Sequence, residues 1–332
     1  MCGIAGIQDP TGRLELDPTL AAMAASMAHR GPDDEGTWTR AMAGGGQVGL
    51  ASRRLAIQDL SPAGHMPMGN ADGTVWIAYN GEIYDSGGLR RELEAMGYRF
   101  RSDSDTEVIL HGYEAWGDRV VERLRGMFAF AVLDQRPASN QLFIARDRLG
   151  IKPVYYARTA EGFVFASEIG GTRASGMIGR EIDPAGLAGF LMMGSVPNPL
   201  SIYREIRALE PGCALTVPLD RPAEPSIARY WSMPVDQSSP ASYDDAVEEI
   251  RALLEESVRI RLVSDVPLGA FLSGGLDSSV VVGLMRKATS GTIRTCSMIF
   301  EEAEYRARRP TPARWPKPPA PSITSASSPP AT

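Results

Sequence analysis

Only three of the 332 residues are cysteine (Cys2, Cys213, Cys296) and only three are histidine (His29, His65, His111). The cysteines are too far apart for a disulfide scaffold or a zinc knuckle, and the histidines have no metal-ligand spacing. No apolar run approaches the roughly 18 residues that a membrane-spanning helix needs, and no charged-then-apolar leader opens the chain. Basic residues are the minority, 34 against 40 acidic, giving a formal charge of −6. That argues against a general basic surface for nucleic acid. The expectation is a cytoplasmic, reducing setting with neither nucleic acid nor membrane as partner. A homodimer is left open. What remains is an ordinary globular composition, 43% hydrophobic and 22% charged, with length for about two domains.

Strand-like runs at 2–7, 75–79, 127–133, 141–145, 153–157 and 163–166 are separated by turn residues. Helical periods interrupt them at 17–28, 88–96 and 106–116. Strands in runs with helices set apart predict an α+β layered domain. The proline-rich run from Pro218 to Pro240 reads as part of a linker over 211–241. Beyond it a helical period over 242–262 puts Ala246, Ile250, Leu253, Leu254 and Val258 on one face. A strand at 266–272, a glycine-serine loop, a helix at 280–287 and a strand at 293–300 then read as the start of a parallel α/β domain. The resulting division is 2–210, a linker 211–241, a partial domain 242–305, and 306–332. That last stretch holds eight prolines and five basic residues with no acidic ones. Its composition predicts disorder.

Cys2 follows the initiator methionine, and removal of Met1 would make it the terminal residue. A thiol beside a free α-amine has a built-in proton acceptor, because that amine titrates near ~7.7–8. Asn80-Gly81 reads as a hairpin turn. Its Gly81 N–H and Asn80 amide would also suit a developing oxyanion. Arg54 offers a fork for an α-carboxylate, and Asp105 reads either as a helix N-cap or as a carboxylate for an α-ammonium.

The motifs at 1–6 (MCGIAG), 29–33 (HRGPD), 54–57 (RLAI), 80–84 (NGEIY), 104–107 (SDTE) and 126–130 (GMFAF) resemble, in order, the glutaminase domain of class II glutamine amidotransferases. The later loop described next is similar to the glutamine-hydrolysing asparagine synthetases, so the resemblance covers roughly residues 2–304. It implies an N-terminal-nucleophile αββα sandwich followed by the start of an ATP-pyrophosphatase domain. It implies Cys2 as nucleophile, Asn80 and Gly81 as oxyanion hole, and Arg54, Glu82 and Asp105 as glutamine ligands, with 29–33 in a loop closing over glutamine. Ser52 stands where histidine is frequent, and Asp85 where asparagine is usual.

The segment 272–279, LSGGLDSS, lies between an apolar strand and a helix. Glycines admit an anion to the backbone, and a helix N-terminus offers unpaired N–H groups. No Gly-Lys-Ser/Thr follows, so it is not a Walker A loop. Asp277 beside phosphates requires an intervening cation, which points to Mg²⁺. The resemblance implies ATP bound by Leu272, Ser273, Gly274, Gly275, Asp277, Ser278, Ser279 and Met298, with aspartate as acceptor carboxylate. Amidotransferases with other acceptors, and a non-catalytic fragment, are the competing expectations. The change of composition after Tyr305 suggests a frameshifted or truncated reading frame.

Overall fold

The computed structural model describes residues 1–42, 45–160, 162–221, 224–235 and 241–297. It divides into two compact units, Met1–Pro234 and Val235–Thr332. In chain order the first unit contains strand β1 (Gly3–Asp9), helix α1 (Leu16–Ser26), β2 (Asp34–Ala41), β3 (Gln47–Arg54), β4 (Met68–Gly69) and β5 (Val75–Ile83). Helices α2 (Ser86–Ala95), α3 (Asp105–Trp116) and α4 (Val120–Arg123) follow, then strands β6 (Gly126–Asp134), β7 (Gln141–Arg146), β8 (Tyr155–Thr159) and β9 (Gly162–Ala166). Helices α5 (Ile169–Ala174) and α6 (Pro184–Met193) precede β10 (Arg207–Ala208), β11 (Cys213–Pro218) and β12 (Ser226–Arg229).

These strands make two antiparallel sheets. The first has the order β10-β8-β9-β1-β3-β2 and the second β12-β11-β7-β6-β5-β4. Strand alternation sends successive side chains to opposite faces, and here both faces are buried. In the second sheet Phe128, Phe130 and Val132 of β6 meet Ile109 and Tyr113 of α3, while the intervening Ala129, Ala131 and Leu133 face the first sheet. In the first sheet Ile4, Val48 and Leu50 turn inward, and Ala5, Ile7 and Ala51 meet Leu20 and Met23 of α1. Three apolar interfaces therefore separate four layers, helix–sheet–sheet–helix, as the αββα expectation requires. Burying one such phenylalanine or leucine is worth about 1.5–3 kcal/mol. Gln8 ties the sheets together, its amide donating to the carbonyls of Pro218 (3.0 Å) and Leu219 (2.8 Å).

Residues 213–229 correct the linker reading. β11 pairs with β7 and β12 with β11, so the first unit runs on to Pro234. Pro218 occupies the last position of its strand, where a missing donor costs least, and Cys213, Leu215 and Val217 are buried between the sheets. Prolines at strand ends mimic a linker in the sequence while leaving the strand between them intact. The predicted 88–96 and 106–116 helices are present within two residues of their expected bounds, and the 153–157 strand is shifted two residues onward.

The second unit holds α7 (Tyr243–Arg259), β13 (Gly269–Phe271), α8 (Leu276–Ala288) and β14 (Arg294–Cys296). β13 and β14 pair in parallel, the strand–helix–strand order expected of an α/β domain. Ser242 caps α7, accepting from Asp245 N–H. The apolar face of α7 is present, but Ile250, Leu253 and Leu254 stay exposed. Two three-residue strands give little surface against which to bury it. The 306–332 segment lies outside the described residues. Among the described residues no helix is long and apolar enough to cross a membrane.

Candidate active site

A cavity of about 150 Å³ opens at one end of the sandwich. Cys2, Arg54, Asn80, Gly81, Glu82 and Asp105 all line it, and so do Met1, Leu55, Tyr79, Met127 and Lys152. The topology explains why. β1 begins where its antiparallel neighbour β3 ends, and Gly3 pairs with Arg53, so one step further sets Cys2 beside Arg54. In the second sheet β5 ends where β6 begins, with Gly81 opposite Phe128. β7 ends at the same edge and leads into Lys152.

Cys2 sits one residue before β1. The Leu55 N–H donates to its sulfur at 3.4 Å. Burial pushes the thiol above its ordinary value, and the Leu55 bond pulls part of the way back. The amine of Met1 is held below its usual value, first by burial; the charges of Lys152 and Arg30 add to this and that of Cys2 opposes it.

Asn80 and Gly81 are not a hairpin turn. They lie inside the nine-residue strand β5 and pair with Ala129 and Phe128 of β6. Continuous pairing on β6 overrides the turn preference of the dipeptide. The strand conformation still presents donors. Ile83 N–H points away from β6, to the Asp105 carboxylate at 2.9 Å, so by alternation Gly81 N–H points to the same open edge. β4 pairs only with Trp76 and Ile77, which leaves that edge uncovered near Gly81. Gly81 must be glycine, because a Cβ there would lie 2.4 Å from the Met127 carbonyl oxygen. Asn80 is fully buried, and neither its Oδ1 nor its Nδ2 has a hydrogen-bond partner. An unsatisfied buried amide costs roughly 1–3 kcal/mol, so its retention beside a cavity marks it as reserved for a bound group.

Asp105 is the first residue of α3, not its cap. Ser104 caps the helix, accepting from Thr106 N–H. Asp105 Oδ2 accepts from Tyr79 O–H at 2.8 Å and from Ile83 N–H. Burial pushes this carboxyl up to about 6, against the pull of those two donors. Arg54, buried at the end of β3, donates to the carbonyls of Asp59 (2.5 Å) and Gln58 (3.1 Å). It braces the turn that forms one wall of the cavity.

The 29–33 segment is not brought to the cavity lining; it is anchored behind Cys2. Arg30 donates to the Cys2 carbonyl at 2.9 Å and to Glu168 at 2.7 Å, and Asp33 accepts from Ala56 N–H. Sequence reasoning missed Lys152, which is 5% exposed, and Tyr79. Lys152 lies in an Asp-X-X-Gly-X-Lys-Pro run whose Asp147 organises the turn. That pattern was the available signal.

In the second unit, Gly274 has φ +78°, a left-handed conformation that favours glycine. Gly275 stands at the N-terminus of α8. Ser278 and Ser279 hydroxyls both donate to the Gly275 carbonyl (3.2 and 2.8 Å), and Ser273 Oγ lies 3.1 Å from Ser278 Oγ. Leu272 N–H donates to Cys296 O, extending the strand pairing. Asp277 falls in the first turn of α8. Among the described residues no cluster of three metal-ligating side chains occurs, and Met298 lies outside the described residues.

Residues 1–231 match the glutamine amidotransferase domain family, and residues 249–313 the asparagine synthase family. The chain is 38% identical over 310 residues to asparagine synthetase [glutamine-hydrolyzing] 3 of Bacillus subtilis, covering 91% of this chain and 48% of that protein. It is also 38% identical over 318 residues to putative asparagine synthetase [glutamine-hydrolyzing] 2 of Methanocaldococcus jannaschii, covering 91% of this chain and 60% of that one. The chain thus spans about half the length of the curated relatives it matches. Among solved structures, the allosteric regulatory enzyme of purine biosynthesis is similar with a TM-score of 0.50 at 19% identity, covering 89% of this chain and 64% of that one, a likeness of fold alone. The amidotransferase match covers more than half of the sequence, and the cavity lies wholly within it: the chain belongs to the glutamine amidotransferase family.

Proposed function

We propose that the first unit hydrolyses glutamine to glutamate and ammonia at Cys2. The reading rests on one observation: a buried, unpartnered Asn80 amide shares a cavity with a cysteine at the chain's start. With Met1 removed, the Cys2 amine takes the thiol proton and the sulfur attacks the glutamine amide carbon. Asn80 Nδ2 and Gly81 N–H receive the negative oxygen. Collapse breaks the C–N bond, the amine returns its proton to the departing nitrogen, and ammonia leaves. Water then hydrolyses the γ-glutamyl thioester. Arg54 would take the substrate's α-carboxylate and Asp105 its ammonium, with Glu82 helping to fix the substrate.

The second unit carries the front of a nucleotide site, in which residues 272–279 would cradle the pyrophosphate of ATP. The left-handed Gly274 and the start of α8 suit an anion. Asp277 fits Mg²⁺, which usually takes one or two carboxylates together with phosphate oxygens; the ion would screen phosphate charge. In the longer relatives' arrangement the ammonia would amidate an adenylated carboxylate, aspartate being the acceptor that the relatives' names favour. A homodimer and a cytoplasmic setting belong to the same proposal.

Glutamate release by the purified chain tests the glutaminase reading, with Cys2→Ala as control and mass spectrometry after a thiol-reactive glutamine analogue. Release lost in Cys2→Ala, with the label on Cys2, is the expected result. Release that survives the substitution, or a label elsewhere, would refute it.

A further inference from the structure

Lys152 has no part in that mechanism, yet the molecule invests a rigid turn in placing it. Asp147 accepts from four backbone N–H groups: Leu149 (3.1 Å) and Ile151 (3.0 Å) on Oδ1, Phe128 (3.2 Å) and Lys152 (3.0 Å) on Oδ2. Arg146 donates to the carbonyls of Lys152 (2.9 Å), Gly150 (2.8 Å) and Leu209. The turn is thereby fixed at both ends, and Lys152 is delivered, 5% exposed, to the wall of the Cys2 cavity. A structural lysine would gain nothing there that a methionine would not give, because burying an ammonium is costly. The placement therefore points to a use for the charge.

The charged groups around it come from every neighbouring element. Cys2 and the Met1 amine stand just before β1, Arg30 behind them, and Glu82 on β5; Asp147 is on its own turn. Asp33 acts on the amine, while Arg54 and Asp105 act on the thiol. Burial pulls the lysine below its ordinary value and Arg30 pulls it further, while a Cys2 thiolate and the Glu82 and Asp147 carboxylates hold it up. Such coupling is mutual: a thiolate that favours the ammonium is favoured by it.

We infer that Lys152 sets the ionisation of the Cys2 centre, its ammonium favouring the thiolate and disfavouring a second positive charge on the terminal amine. The charge that lowers the Met1 amine would act in the same direction on the Cys2 amine that removal of Met1 exposes, keeping it the free base that the glutaminase reading, on which this inference rests, requires. Lys152 acts through Cys2 and transfers no group itself.

The test is the pH profile of Cys2 alkylation by iodoacetamide in the folded full chain, read by mass spectrometry. Lys152→Met should raise the profile's midpoint by about one unit, so that alkylation near pH 7 slows about tenfold. Lys152→Arg should stay within a few tenths of the parent, and Lys152→Gln, a second neutral variant, should behave as Lys152→Met does. Superposable profiles for parent and neutral variants would overturn the inference, as would a Lys152→Arg profile displaced as far as theirs. Alkylation needs no turnover, so a shifted profile in a chain that releases no glutamate would leave the role of Lys152 standing while the glutaminase reading failed.

Discussion

Asp105→Asn should make the first unit more stable while abolishing its turnover of glutamine. The carboxyl is 6% exposed and its proton leaves only near pH 6, against an ordinary value of about 3.9. The folded state thus holds this proton more tightly than the unfolded chain. Its contribution to stability is complete below about pH 4, declines as the pH climbs to about 6, and is gone above that. A displacement of about two units, at roughly 1.4 kcal/mol each, is worth about 3 kcal/mol. Asparagine has nearly the same shape, and its single carbonyl oxygen can accept from both Tyr79 O–H and Ile83 N–H, as Oδ2 does now. It carries no charge to bury.

Urea unfolding followed by tryptophan fluorescence at pH 4.0, 5.0, 6.0 and 7.5 provides the comparison. Parent and variant should be nearly equal at the lowest pH, and the variant more stable by up to about 3 kcal/mol at the highest. A gap that stays the same at every pH would refute the assignment of the penalty to a buried carboxylate. Glutamine adds a second check. If Asp105 faces its α-ammonium, glutamine should stabilise the parent at pH 7.5 and leave the variant unmoved.

Asn80→Ala should lower glutaminase kcat by about 10²–10³ yet raise stability by about 1–3 kcal/mol, because it removes an amide that is buried without a hydrogen bond; paired kinetics and thermal melts check both halves. Gly81→Ala should destabilise by about 1–3 kcal/mol, since its Cβ would meet the Met127 carbonyl and the Tyr79 ring at 2.4 and 2.7 Å. An unchanged melting temperature would show that β5 yields more easily than its pairing suggests. His111 lies between Glu107 and Glu114; burial opposes its charge, but the two carboxylates win and raise it to about 9. Its stabilising effect is therefore complete below about 6.5 and lost as pH rises through about 9, so His111→Gln should lower the melting temperature markedly at pH 6 and hardly at all at pH 10.

The layered architecture was legible because both sheets obey a two-residue period with apolar residues on both faces, as in 127–133. Cys2, Arg54 and Asp105 stood out through side-chain chemistry that a core would not need, and the structure gathers them around one cavity. Local signals failed where pairing or packing decided the outcome. Asn80-Gly81 carries a turn dipeptide, but nine consecutive partners on β6 hold it straight. The prolines around 218–225 hid two strands, of which β11 buries Cys213, Leu215 and Val217 between the sheets while β12 is exposed throughout. Lys152 was missed although its Asp-X-X-Gly-X-Lys-Pro run was in view, because its depth is set by Asp147 and Arg146, whose bonds fix the turn only after β6 and β7 have paired.

Antiparallel topology accounts for how a small cavity acquires so many functional groups from distant sequence. A strand that starts at one edge must lie beside one that ends there, so the beginning of β1 and the end of β3 bring Cys2 and Arg54 together. The same rule in the facing sheet brings the end of β5, the beginning of β6 and the turn after β7 to that edge. Stacking the sheets then sets the face of β1 that carries Ile4 against the face of β5 that carries Ala78 and, two residues on, Asn80. Odd-numbered Gly81 keeps its N–H on the open edge. A one-residue slip of β5 against β6 would send the Asn80 side chain to the helix layer and turn Gly81 N–H into the ladder. Its cost would fall on Val75, Ile77 and Tyr79 of β5, which would have to exchange faces with Trp76, Ala78 and Asn80. The packing that holds the fold together is therefore the same packing that keeps an unsatisfied amide aimed at the cavity.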